Sequence, residues 1–161
     1  MMDIKTTLEK IGAKSGLDIA LDENGSCTLE LADGRVIVLQ ERADLNELDF
    51  VANLGAVPEE TRAEVFTALL AANFYWNETL GATLSWNADL EEAVLIYPLP
   101  LADATPESVE TVFNRFVELQ AAWSDRLAGL VAAAQEDDAG EPDDEDEDYG
   151  EAPGDGLIIN P

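Results

Sequence analysis

The sequence predicts an α+β fold in which helices flank a twisted antiparallel sheet, in the chain order α-βββ-α-ββ-α. Two observations carry this prediction. Apolar residues recur at helical spacing in three segments, and in the segments between them apolar and polar residues alternate as in strands. We expect a folded domain at residues 1–134 and an acidic tail at 135–161.

The first helix is predicted at residues 2–15. Ile4, Leu8 and Ile11 fall at i, i+4 and i+7, and Gly16 follows where a helix end favours a left-handed residue. All three lysines of the chain lie on this helix, and we interpret them as a solvated face.

Three strands are predicted next, as a meander. Cys27, Leu29 and Leu31 alternate with polar residues, and the turn at Asp33-Gly34 leads to the run 36–39, which is apolar on both faces. A third alternating run covers 48–54. Because the central strand is apolar on both faces, we expect something to cover each of them.

A second helix is predicted from Pro58 to about Trp76. Its apolar side chains form two rows, Phe66-Leu70-Phe74 and Val65-Leu69-Ala72-Trp76. One row is enough to cover a sheet, so the wide stripe indicates a helix that is buried on more than one side.

A hairpin is predicted at 82–86 and 93–99, and we expect Pro98 and Pro100 to end it. The last helix should begin with Thr105 as N-cap and Pro106 at its first position, and should run to about Ala134.

The charge of the chain restricts its partners. The formal charge is −27, and residues 135–161 hold 12 acids and no base, which leaves about −15 on the rest. We therefore expect no nucleic-acid partner and no association with anionic membranes.

No apolar run is long enough to span a bilayer or to form the core of a signal peptide, so we expect a cytoplasmic protein without membrane insertion. The tail is too polar to fold alone, although Leu157-Ile158-Ile159 is an apolar exception.

The sequence lacks the residues and motifs that most enzymes use for catalysis. It contains no histidine and no glycine-rich phosphate loop, and its single cysteine, Cys27, is interpreted as a buried apolar residue. Acids from Asp144 onwards approach a calcium loop, but Tyr149 stands where that loop requires glycine. We therefore predict no catalytic residue, no cofactor and no specific metal site.

Four stretches carry a resemblance to a known family. They are GLDIALDENGSCTLELADGRVIVL (16–39), LGAVPEE (54–60), LLAANFYWNETLGATLSWN (69–87) and EEAVLIYPLPLADATPESVETVFNRFVE (91–118). With the element order and the acidic balance, they resemble the class I type III secretion chaperones of the Tir chaperone (CesT-like) family. The resemblance implies a bacterial, cytoplasmic homodimer without ATPase activity. Such a protein binds the N-terminal segment of a secreted effector in extended form and keeps it secretion-competent.

The resemblance also implies site residues. The second helix would supply the dimer interface, with Val65, Phe66, Leu69, Leu70 and Asn73. The first helix and the meander would present an effector-binding groove, with Ile4, Leu8, Ile11, Leu29, Leu31, Val36 and Val38. Three alternatives stay open: the same fold holding a regulator instead of an effector, an enzyme of unknown class, and a groove occupied by Leu157–Ile159 of the chain itself.

Overall fold

The computed structural model describes residues 2–140, so the segment 141–161, with Leu157–Ile159 and the calcium-loop candidate, lies outside the described residues. The elements are α1 (Ile4–Ser15), β1 (Ser26–Glu30), β2 (Val36–Arg42), β3 (Glu47–Ala56), α2 (Arg62–Ala72), β4 (Thr83–Asn87), β5 (Glu92–Pro100) and α3 (Pro106–Asp138). Single 3₁₀ turns at Glu59–Thr61 and Phe74–Trp76 precede and follow α2. The predicted fold class and element order are confirmed.

The strands form one antiparallel sheet in the order β1-β2-β3-β5-β4. The predicted meander and the predicted hairpin are joined through β3 and β5, which pair from Glu47 opposite Pro100 to Ala56 opposite Glu92. As a result β1 and β4 are the two edge strands.

One face of the sheet carries the core. Ile37, Leu39, Phe50 and Leu95 are fully buried there, and the Phe50 ring lies 5.5 Å from that of Phe116 on α3. The opposite face is less covered, since Val38, Val51 and Ile96 are only half-buried in adjacent register positions. Val36 is 40% exposed, so the expectation that both faces of β2 are covered is wrong within residues 2–140.

The ends of α1 and α3 are set by local signals. Asp3 caps α1 by accepting hydrogen bonds from the Lys5 and Thr6 amides, and Gly16 ends it with φ 70°. Thr105 and Ser108 form a reciprocal capping box at the start of α3. That helix continues to Asp138, four residues past the predicted end, since Gln and Glu favour the α-helix even without apolar contacts.

The second helix is shorter than predicted. Its α-helical part ends at Ala72, and the chain then turns through Tyr75 and Trp76, whose φ values are 54° and 53°. The side chain of Asn73 bonds to β4 at this point, through Nδ2 to the Leu84 carbonyl (3.0 Å) and through Oδ1 to the Leu84 amide (2.9 Å).

The prediction that Pro98 and Pro100 end the last strand is wrong, because β5 runs through both. The Leu101 amide donates to the Asn46 carbonyl at the end of the β3–β5 ladder. The backbone groups of the odd-numbered residues of β5 therefore point toward β3, and those of Pro98 and Pro100 point away from it. Pairing with β4 stops at Ile96, and the prolines therefore lie on an open edge where no N–H group is required.

Candidate protein-binding site

The two apolar rows of the second helix have different environments. Val65, Leu69 and Ala72 are 0%, 5% and 1% exposed and pack against the core of their own domain. In the other row Phe66 is half-buried, whereas Leu70 is 71% exposed. The helix is therefore buried on one side and displays its other apolar side to solvent.

The exposed row continues into an apolar surface that we call the α2 patch. Its members are the side chains that project outward from the second helix and from the segment after it: Phe66, Leu70, Phe74, Tyr75, Trp76 and Leu80. A groove lined by Leu84 and Trp86 of β4 runs beside them, and the rings of Phe66 and Trp86 lie 5.0 Å apart. Clusters of exposed large apolar side chains often mark a protein interface.

The backbone holds part of this patch in an unusual conformation. Tyr75, Trp76 and Leu80 have φ values of 54°, 53° and 52°, a left-handed region that bulky residues rarely adopt. Hydrogen bonds fix it: the Trp76 indole donates to the Thr83 hydroxyl (3.3 Å) and Arg115 donates to the Leu80 carbonyl (2.6 Å). Such conformations persist where the surrounding structure enforces them, often at functional sites.

The proposed groove residues separate into two groups. Ile4, Leu8, Ile11 and Leu29 are between 0% and 6% exposed and belong to the core. Leu31 and Val38 are half-buried, and Val36 is 40% exposed. Only the second group is exposed to solvent, in part or largely, in this structure.

The β1 edge has unpaired backbone groups. At its two ends, Glu41 donates to the Gly25 carbonyl (2.7 Å) and Leu31 donates to the Arg35 carbonyl (2.8 Å), so odd-numbered residues face β2. Ser26, Thr28 and Glu30 consequently point their backbone groups away from the sheet.

Asp22 forms hydrogen bonds with both backbone groups of Ser26, the first of these outward residues. Its carboxylate accepts from the Ser26 amide, and its own amide donates to the Ser26 carbonyl, both at 2.9 Å. The hydrogen bond from Ser26 holds the pKa of Asp22 below its ordinary value. The N–H and C=O groups of Thr28 and Glu30 have no partner among the described residues. We call these four groups the open β1 edge.

The opposite edge of the sheet is protected. Asn73 occupies both backbone groups of Leu84 in the middle of β4, and the extension of β5 beyond β4 carries Pro98 and Pro100. Proline and side-chain capping are common ways of preventing strand addition. Within the described residues, β1 is thus the edge strand that presents consecutive outward backbone groups without a cap.

Sequence reasoning missed two features of this site. The outward orientation of Thr28 and Glu30 depends on the strand order, which no local pattern reveals. The exposed conformation of Tyr75 and Trp76 depends on Asn73 bonding to a strand eleven residues later. The signal that was available is the polar alternation of Thr28 and Glu30 in a short strand, which is typical of a sheet edge.

Residues 2–140 hold no group of three or more side chains positioned to bind a metal ion. Within the same range, no helix is both long and apolar enough to cross a membrane.

An open sheet edge and an exposed apolar helix row are both surfaces through which proteins commonly bind other polypeptides. Residues 6–124 match the model of the Tir chaperone protein (CesT) family. The chain belongs to this family, and the resemblance found in the sequence is confirmed.

Several solved structures share the fold of this chain. The chain is similar to one in the ExsC–ExsE complex, with a TM-score of 0.66 and 19% identity over 78% of this chain and 97% of that chain. A chain of the HopA1–SchA chaperone–effector complex gives 0.60 and 13% identity, over 78% and 99% of the two chains. A chain of the ExoU–SpcU complex, from the type III secretion system of Pseudomonas aeruginosa, gives 0.58 and 21% identity, over 80% and 98%. A comparison with curated proteins finds no significant match.

Proposed function

We propose that this protein is a type III secretion chaperone, which binds the N-terminal segment of an effector in extended form and keeps it secretion-competent. Membership of the Tir chaperone protein (CesT) family supports the proposal, as does the similarity to a chaperone–effector complex. The observation that carries it is the open β1 edge, where Thr28 and Glu30 present unpaired backbone groups.

The mechanism follows from strand addition. An extended effector segment pairs its main chain with Thr28 and Glu30 and becomes a sixth strand beside β1. Its side chains alternate between the face of Leu29 and the face of Val36 and Val38. The bound segment gains no fold of its own, so release leaves it extended and ready for export.

The α2 patch is proposed as the homodimer interface. Leu70 and Phe74 are 71% and 73% exposed, and covering them with a second copy removes a large apolar area from water. Of the interface residues implied by the resemblance, Phe66 and Leu70 are accessible. Val65 and Leu69 are buried in the core on the other side of the helix. Asn73 already bonds to Leu84 of its own chain.

We place this activity in the bacterial cytoplasm, where an effector is met before export, and we propose no catalytic step. A module of the same fold that holds a regulator instead of an effector fits the comparisons less well, since one similar structure is itself described as a chaperone–effector complex.

Thr28→Pro tests the proposed site. Proline removes the outward N–H of Thr28 and fills the edge, while the β1–β2 ladder keeps its hydrogen bonds through Cys27 and Leu29. We expect affinity for the effector that co-purifies from the native host to fall at least about tenfold, as measured by calorimetry, because main-chain pairing supplies much of the affinity in strand addition.

Thr28→Ala is the matched control, since it changes the side chain and keeps the N–H. It should bind like the unchanged protein. Full affinity of Thr28→Pro, with a native circular dichroism spectrum and melting temperature, would show that the effector binds elsewhere.

A further inference from the structure

We propose that the strand taken up at the open β1 edge is cationic, with lysine or arginine alternating with apolar residues. This inference rests on the proposed function and specifies the chemistry of the partner at the same site. It is carried by the charges that surround Thr28 and Glu30.

The edge itself is acidic. Glu30 is one of its two open residues, is exposed, and makes no ion pair among the described residues. Glu23, in the turn before β1, is likewise exposed and unpaired within residues 2–140. Asp22 and Asp33 lie at the two ends of the strand, so carboxylates flank the open groups on both sides.

The nearby cations do not cancel this charge. The Nη1 of Arg35 donates to the Val117 carbonyl at 2.8 Å. The same side chain forms an ion pair with Asp33, with Nε 2.8 Å from the carboxylate. This interaction holds the pKa of Asp33 below its ordinary value. Lys5 acts on Asp22, whose pKa it lowers as a minor cause. No cation among the described residues pairs with Glu23 or Glu30, so both carboxylates are available to a strand that arrives at the edge.

The geometry of an antiparallel strand determines which residues of the partner lie beside these carboxylates. A residue directly opposite Glu30 on the added strand brings its Cβ to about 5 Å, where opposite charges attract and like charges repel. Its neighbours point to the opposite face of the sheet, the face on which β1 carries the apolar side chains of Cys27 and Leu29 at the margin of the core. A matching strand therefore has cations on one face and apolar side chains on the other.

The same charge disfavours the tail of this chain as the occupant. Leu157–Ile159 is apolar, but it belongs to a segment that holds 12 acids and no base. Bringing that segment to Glu23 and Glu30 places like charges together. The electrostatics thus favour a separate, basic partner over self-occupation.

Synthetic peptides test the inference with the full chain. Three ten-residue probes alternate valine with lysine, with serine or with glutamate, and binding is followed up to millimolar concentration by NMR of the Thr28 and Glu30 amides. We expect the lysine peptide to shift these amides and to bind at least about threefold more tightly than the serine peptide, because one cross-strand ion pair has about that effect. The glutamate peptide should bind least.

Two charge reversals separate a local ion pair from general attraction to an acidic protein. Glu30→Lys and Glu60→Lys change the net charge equally, but Glu60 is exposed in the 3₁₀ turn before α2, in another part of the domain. Glu30→Lys should reduce binding of the lysine peptide at least about threefold more than Glu60→Lys does, and should raise binding of the glutamate peptide.

Each contrary outcome has a distinct meaning. Equal binding of the serine and lysine peptides overturns the charge preference and leaves strand addition intact. Equal effects of the two reversals reduce the preference to nonspecific attraction and also overturn it. If no peptide shifts Thr28 or Glu30 at millimolar concentration, the inference fails, whereas the proposed function fails only if Thr28→Pro leaves effector binding unchanged.

Discussion

Asn73 shows how much one side chain determines at this sheet. Its amide donates to the Leu84 carbonyl and accepts from the Leu84 amide, so it reproduces the pair of bonds that a neighbouring strand would make. It thereby ends the sheet at β4 and anchors the chain after α2. The residue that the resemblance assigns to a dimer interface also has a role within its own domain.

Replacing Asn73 should be costly for stability. Asn73→Ala leaves the amide and carbonyl of Leu84 without partners, and we expect the free energy of unfolding to fall by about 1–3 kcal/mol, measured by urea denaturation. Asn77→Ala, at an exposed position four residues later, is the control and should have little effect. Equal losses in the two variants would show that the bonds to Leu84 contribute nothing.

Gln120 has a comparable role inside the core. It is fully buried, and its Nε2 donates to the carbonyls of Val36 (3.0 Å) and Asn53 (3.2 Å) where the β2–β3 ladder ends. Its Oε1 has no partner within the described residues. Because a buried polar group stabilises only when it is bonded, the two donated bonds explain why a glutamine is tolerated among the apolar residues of α3.

At the scale of the element, α2 would have two separate tasks in the proposed dimer. Its buried row stabilises the domain, and its exposed row is available to a second copy. A charge introduced in each row therefore has a different consequence. Leu69→Asp buries a carboxylate at a position that is 5% exposed and disrupts folding, so it does not isolate dimerisation.

Leu70→Asp tests the dimer directly. Leu70 is 71% exposed, so we expect the melting temperature to change little while the sedimentation coefficient falls from that of a dimer to that of a monomer. An unpaired charge at a desolvated interface commonly costs a few kcal/mol. Leu90→Asp, at an exposed leucine in the turn between β4 and β5, should leave the dimer intact. An unchanged dimer in Leu70→Asp would remove α2 from the interface.

The element order was predictable because it depends on local signals. Helical spacing located α1, Gly16 marked its end, and Thr105 with Pro106 marked the start of α3. The pairing of β3 with β5 was not predictable, since these strands are separated along the chain by α2 and β4. The orientation of Pro98 and Pro100 follows from that pairing and was missed with it.

The candidate site was less predictable than the fold. Helical periodicity finds apolar rows, but a row facing the domain core and a row facing a second subunit have the same spacing. The buried Val65 row and the exposed Leu70 row are therefore indistinguishable in sequence. For the same reason Ile4, Leu8 and Leu29 were assigned to a groove, although they lie in the core.

At the scale of the whole molecule, the proposed effector site and the proposed dimer interface are different surfaces. The open β1 edge and the α2 patch lie at opposite ends of the sheet, next to β1 and β4 respectively. An effector strand added at one end leaves the other end free for a second subunit. The acidic charge of −27 favours basic segments over nucleic acids and anionic membranes.

The most direct test of the central claim is amide hydrogen exchange of the full chain, alone and in complex with the effector that co-purifies from the native host. Binding should slow exchange at Thr28 and Glu30, whose amides have no partner among the described residues of the free chain. Exchange at Leu84, already bonded to Asn73, should change little. Unchanged exchange at Thr28 and Glu30 in a saturated complex would contradict strand addition at β1.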